Sequence, residues 1–230
     1  MTRWPGIAAA FLLLASCRQA PVPARSETGR PELFLLTALP IAWGEAFGLD
    51  PPRSPVMAAL GRYYRVKLID LPSQLPKGAL LLAAQPRALP AEELVKLDQW
   101  VRDGGRLLLL ADPMLEWPSN LPLGDPRRAP MAFADTGLLQ HWGLRLDAPE
   151  QRGPFESRIG GRAVLTTSPG TLLVQGKDCH GRDNGLVAHC VVGRGRAVVI
   201  ADADFLNLGS DARADDSLAA LESQLAALNR

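Results

Sequence analysis

Short apolar runs alternate with stretches of helical periodicity through the first half of the chain. Residues 32–39 carry Leu33, Phe34, Leu35 and Leu36 without a break, which predicts a strand covered on both faces. A Gly/Pro-rich loop over 40–55, a short helix over 56–63 after Pro55, a strand over 65–69 ending at Asp70 and a third apolar run over 79–84 follow. This spacing is that of β-α-β units, not hairpins. The clearest segment begins at Pro90, suited to a helix's first turn, with Glu92 and Glu93 opposing the positive end of the helix dipole. Leu94, Leu97 and Val101 recur at i, i+3 and i+7, and Gly104-Gly105 then stop the helix ahead of a buried strand over 107–110. A helix leading through two glycines into such a strand is half of a right-handed parallel crossover.

The rhythm changes at Asp112-Pro113. Residues 113–160 are punctuated by Pro118, Pro122, Pro126 and Pro130 and read as an irregular insertion, with one helix from Asp135 as N-cap through Trp142 to Gly143. Short strands over 162–166 and 171–175 come next, and the runs 186–192 and 196–201 flank Gly193-Arg194-Gly195 as a β-hairpin. Asp215 is placed to cap a final amphipathic helix bearing Leu218, Leu221, Leu225 and Leu228.

Composition narrows the class. At 230 residues and 47% hydrophobic, the chain can build one sizeable core, and a net charge of +1 without a basic run argues against nucleic-acid binding. The amino terminus adds an address. Arg3 precedes an apolar stretch over 7–15, too short to span a membrane but fitting an export signal, and it ends in Leu14-Ala15-Ser16-Cys17. That order resembles the lipobox of bacterial lipoproteins, in which Cys17 would be lipidated and become the new amino terminus. The expected organisation is therefore a signal peptide over 1–16, a tether over 17–31 and a single α/β domain over 32–230 on the periplasmic side of the envelope. Losing Arg3 with the signal leaves acidic and basic residues equal in number, so membrane attachment would rest on the acyl chains.

Export also bears on the cysteines. With Cys17 given to lipid, Cys179 and Cys190 remain in a compartment that permits a disulfide, which is the simplest pairing. Two free thiols, or a zinc site using the mirrored pairs Cys179-His180 and His189-Cys190, are the alternatives. Adjacent strand residues face opposite ways, which counts against convergence of all four on one ion.

No nucleophile elbow, phosphate loop, zinc-protease motif or dinucleotide fingerprint is present, so no catalytic residue and no cofactor is expected. One constellation stands out. Asp70, Asp112, Asp202 and Asp204 each fall at or just after the carboxyl end of a predicted strand, the edge where open α/β sheets bind ligands. They either line a crevice able to hold a polar ligand or cation, or cap the loops in which they sit.

The run Leu89-Pro90-Ala91-Glu92-Glu93-Leu94, continuing through Trp100-Val101 and Gly104-Gly105 to Ala111-Asp112-Pro113, resembles a domain of ABC-transport-associated proteins that includes the gliding-motility auxiliary proteins. Ala201-Asp202-Ala203-Asp204-Phe205-Leu206 is similar to that family's closing strand and loop. The resemblance implies a flavodoxin-like, class I glutamine amidotransferase-like fold: a mostly parallel sheet with flanking helices and, here, a C-terminal hairpin. It also implies an extracytoplasmic location. True amidotransferases carry a cysteine on a tight strand-to-helix turn; here Cys179 falls in a loop and Cys190 within a hairpin strand. The expected function is a non-enzymatic, lipid-anchored accessory domain with an envelope or transporter protein as partner. A hydrolase or metal-dependent enzyme using the aspartate crevice is the alternative.

Overall fold

The computed structural model describes residues 1, 29–42, 44–45, 54–209 and 213–229. Apart from Met1, the expected signal peptide, Cys17 and the tether up to residue 28 lie outside the described residues. Among the described residues no helix is long and apolar enough to cross a membrane.

The fold is mixed α/β with a mostly parallel central sheet and few helices. Its elements are β1 (Glu32–Thr37), α1 (Pro55–Tyr63), β2 (Arg65–Leu68), β3 (Leu80–Ala84), α2 (Ala91–Arg102), β4 (Arg106–Leu110), α3 (Leu138–His141) and β5 (Leu144–Asp147). There follow β6 (Pro154–Ile159), β7 (Arg162–Thr167), β8 (Thr171–Val174), β9 (Cys179–Arg182), β10 (Val187–Val192), β11 (Gly195–Ile200) and α4 (Ala214–Leu228). Seven strands form an open sheet in the order β2-β1-β3-β4-β11-β10-β9. The first five run parallel, and β10 and β9 close one side antiparallel. The uninterrupted apolar runs of β3 and β4 occupy the middle, where both faces are covered and every residue from Leu107 to Leu110 is buried.

The segment from Pro90 to β4 forms as its sequence predicts, with Glu92 and Glu93 in the first turn of α2 and Leu97, Trp100 and Val101 facing inward. Its two glycines have different jobs. Gly104 turns the chain at φ +109°, whereas Gly105 lies so close under the Trp100 ring that a Cβ would sit 2.5 Å from it. The β10–β11 turn is two residues long, Gly193-Arg194, and Gly195 already belongs to β11, where a Cβ would collide with the Val101 carbonyl of α2.

Other elements depart from expectation. Between β2 and β3 there is no α-helix, only the 3-10 turn Pro72–Gln74. Asp135 does not open a long helix; its Oδ1 accepts from the Gly137 amide at 3.1 Å, ahead of the single turn α3. The stretch 113–160 is not wholly irregular, because it contains β5 and β6, which pair with β8 and β7 in two small antiparallel sheets. Cys179 lies in the edge strand β9, not in a loop. α4 is capped at Arg213, with Asp215 and Asp216 in its first turn, and lays Leu221, Leu225 and Leu228 against the sheet and β7.

Candidate functional site

Two neighbouring parallel strands fix the centre of the site. In the β4–β11 register Leu110 lies opposite Ile200, so Asp112 and Asp202, each two residues further on, leave the sheet side by side. Asp204 follows two residues later, at the start of the 3-10 turn Asp204–Leu206. Asp112, Asp202 and Asp204 each offer a carboxylate oxygen within 4.8 Å of the others, and all three are buried.

Every one of these carboxylates is engaged by backbone. Asp112 accepts from Met114 N at 2.8 Å through Oδ1 and from Ala203 N at 2.9 Å through Oδ2. Asp202 accepts from Phe205 N at 2.9 Å and Thr167 N at 3.3 Å, and Asp204 accepts from Glu116 N at 2.8 Å. The Thr167 amide is available because residues 153 and 168 form a hydrogen-bonded pair, so 154 and 167 do not, and Thr167 N points away from β6. Gln85, fully buried just past β3, holds the Asp112 backbone from both sides: Oε1 accepts from Asp112 N at 2.9 Å and Nε2 donates to Asp112 O at 3.1 Å. The same Nε2 donates to Pro130 O at 3.2 Å, tying the insertion to the sheet. Glu116 continues the network by accepting from the Ser168 hydroxyl.

Three carboxylates this close cannot all ionise cheaply away from water. Burial pushes Asp112 up to about 6 and Asp204 up to about 7, against an ordinary 3.8, with neighbouring carboxylates adding to both. Asp202, enclosed completely and next to Asp112, is raised well above the ordinary range. The group therefore retains protons near neutrality. Its oxygens lie close enough together to gather a cation, but backbone N–H groups already point at five of the six, so a metal would have to share those oxygens with their donors. Neither principal cavity is lined by any of the three aspartates; the smaller, about 360 Å³, stops at Glu116 and Trp117.

Asp70 does not join them. It is exposed at the end of β2, where its own backbone amide donates to Gln74 Oε1 at 2.8 Å. β2 and β4 are separated by β1 and β3, three strand spacings, or roughly 14 Å. The sequence contains the strand ends but not the strand order. Gln85, Glu116, Thr167 and Ser168 went unrecognised; only the polar residue ending the run Leu80–Ala84 was a signal for Gln85.

Cys179 and Cys190 form a disulfide. They lie directly opposite each other on β9 and β10, with His180 opposite His189 in the next pair, which accounts for the mirrored order in the sequence. Val191 N donates to Asp178 O, so 178 and 191 are a bonded pair and the cysteines occupy the closer non-bonded position, Cα–Cα 4.0 Å. Both sulfurs are used by the bridge, so neither serves as nucleophile or metal ligand.

Residues 30–150, just over half of the chain, match the family described as ABC-type uncharacterized transport system. No curated protein matches the sequence. Among solved structures the chain is similar to the exo-beta-1,4-mannosidase Op5Man5 from Opitutaceae bacterium strain TAV5, with TM-score 0.54 and 14% identity, covering 87% of this chain and 36% of that one. Weaker likenesses include the beta-galactosidase from the Antarctic haloarchaeon Halorubrum lacusprofundi, TM-score 0.48, 14% identity, covering 87% and 30%. The cytoplasmic protein STM3548 from Salmonella typhimurium gives TM-score 0.46 and 10% identity, covering 86% and 98%. The chain thus spans about a third of the two glycosidases it resembles. At 14% identity the likeness to the mannosidase concerns the fold alone.

Proposed function

The chain belongs to the ABC-type uncharacterized transport system family, and we propose that it is a lipid-anchored auxiliary component of such a system, facing the periplasm and acting by binding protein rather than by catalysis. The observation that carries the non-enzymatic reading is the closed carboxyl edge. Where open α/β sheets leave a crevice for a ligand, the amides of Met114, Glu116, Thr167, Ala203 and Phe205 occupy the aspartate oxygens. The carboxylates then fasten the insertion and the last loop to the sheet. The parallel order β2-β1-β3-β4-β11 supports a flavodoxin-like fold, and with it the amidotransferase-like resemblance, without the nucleophile that amidotransferases need. The anchor and the periplasmic location rest on Leu14-Ala15-Ser16-Cys17, and the disulfide is in keeping with an oxidising compartment.

A hydrolase reading draws on Asp204, whose carboxyl titrates near neutrality as a general acid would. One comparison separates the two. Asp204→Asn keeps an amide oxygen for Glu116 N but cannot transfer a proton. In cells lacking the native gene, the binding reading predicts that Asp204→Asn at matched protein level supports transport as wild type does. Loss of transport with unchanged folding and unchanged association with its partners would favour the enzyme.

A further inference from the structure

Among the described residues β6 has a strand neighbour on one side only, since β6 and β7 form a sheet of two. The register determines which of its backbone groups are committed. Ser168 N donates to Gly153 O at 2.9 Å, and at the other end the two-residue turn Gly160-Gly161 closes Ile159 on Arg162. Hydrogen-bonded and non-bonded pairs alternate along an antiparallel ladder, so the bonded pairs are Phe155 with Thr166, Ser157 with Val164 and Ile159 with Arg162. Glu156 and Arg158 therefore aim their backbone N–H and C=O groups away from β7. Among the described residues, no backbone group of another segment pairs with them.

That edge borders the larger cavity, about 770 Å³. Four consecutive residues, Phe155 through Arg158, line it. Successive strand residues point to opposite faces, so a cavity that reaches all four runs along the edge of the strand, not over one face. Its far side is formed by Gly170, Thr171 and the turn at Asp183 and Asn184, both held at positive φ (49° and 56°). The lining carries the carboxylates of Glu150, Glu156 and Asp183 against the single guanidinium of Arg158. Glu156 is also engaged from outside the cavity by Arg213 at 3.0 Å, which leaves the balance acidic. Phe155, 45% exposed, offers apolar surface to side chains of a bound strand.

We propose that β6 is a docking edge for an extended, basic segment of a partner protein, which adds to the β6–β7 sheet as a third strand. Main-chain hydrogen bonds to Glu156 and Arg158 would give affinity, and Glu150 and Asp183 would select positive side chains. A second copy of this chain is disfavoured as occupant, because pairing two such edges brings acidic linings together. The inference rests on the protein-binding reading above. Its assay uses the purified full chain without a transporter or a membrane, so either can fail while the other stands.

The test is fluorescence anisotropy of the labelled peptide Lys-Thr-Val-Thr-Val-Lys with blocked termini. Expected are saturable binding, a loss of at least about tenfold in affinity when both lysines are replaced by glutamate, and a similar loss when the backbone amides along one edge of the peptide are N-methylated. Glu156→Pro removes an outward N–H without breaking a β6–β7 bond and should abolish binding. If that variant does not keep the wild-type circular dichroism, the N-methylated peptides decide on the wild-type chain. Absence of binding, equal binding of the acidic peptide, or indifference to N-methylation on either edge would overturn the proposal. Concentration-dependent dimerisation that occludes peptide binding would overturn it too, by assigning the edge to a second copy.

Discussion

The Asp112 carboxylate accepts the backbone amide of Ala203 at 2.9 Å, joining the carboxyl ends of β4 and β11 across 91 residues of sequence. Through it the loop that begins the insertion and the loop that leads towards α4 share one buried network. That network contains more acid than water-free surroundings tolerate in ionised form, and its consequences are measurable.

Stability should fall as pH rises across neutrality. Asp112 and Asp204 titrate in the fold at about 6 and about 7, above their ordinary 3.8. The folded chain therefore binds more protons than the unfolded one between these limits. Stability from the two groups is fully present below about pH 4 and is lost as pH rises through 6 to 7. The urea midpoint should drop between pH 5 and pH 8, by about 2–4 kcal/mol in unfolding free energy. His189, whose imidazole is held below its usual range mainly by burial, acts in the opposite sense. The comparison with Asp204→Asn isolates the carboxylate: that variant should show a smaller drop and match or exceed wild type at pH 8.

Gln85 should be expensive to lose. Gln85→Ala orphans the buried Asp112 amide, while the Asp112 carbonyl keeps the Phe133 amide at 2.6 Å, so a loss of about 1–3 kcal/mol, that of one unmet buried group, is expected from urea unfolding. Gln85 also sits at φ +43°, where glycine is not penalised, so Gln85→Gly should be less damaging than Gln85→Ala although it lacks the same amide. Equal losses for the two variants would argue against the backbone contribution.

The Cys179–Cys190 bridge should hold the edge strand in place. It spans a sequence separation of 11, for which loop closure suggests a contribution of about 2–3 kcal/mol. Reduction, or the double variant Cys179→Ser with Cys190→Ser, should lower the melting temperature. Hydrogen exchange should accelerate first at the β9 amides, because among the described residues β9 pairs with β10 alone within the central sheet.

Legibility in the sequence followed how local each cause is. The helix Ala91–Arg102, entered at Pro90 and stopped by Gly104, and the buried strand after it were readable because periodicity, capping and the glycine stop lie within two dozen residues. Asp112, Asp202 and Asp204 were recognisable as strand-end residues, but their convergence depends on β4 and β11 being neighbours and in register, which no local pattern states. Asp70 carried the same local signal and lies at the wrong end of the strand order. β6 was missed because Pro154 and its exposed Glu156 and Arg158 show no apolar alternation, as suits a strand with one open edge. Gln85 and Ser168 act through positive-φ backbone and buried hydrogen bonds that composition does not reveal.

The proposed role is that of a lipid-anchored binding partner within an ABC-type transport assembly. Its most direct measurement is quantitative co-purification from detergent-solubilised membranes, with wild type and Cys17→Ala expressed at equal levels. The account predicts that wild type fractionates with membranes and brings transporter subunits with it, and that Cys17→Ala is released into the soluble fraction. Membrane fractionation of Cys17→Ala equal to wild type, or wild type recovered without any transporter subunit, would contradict it.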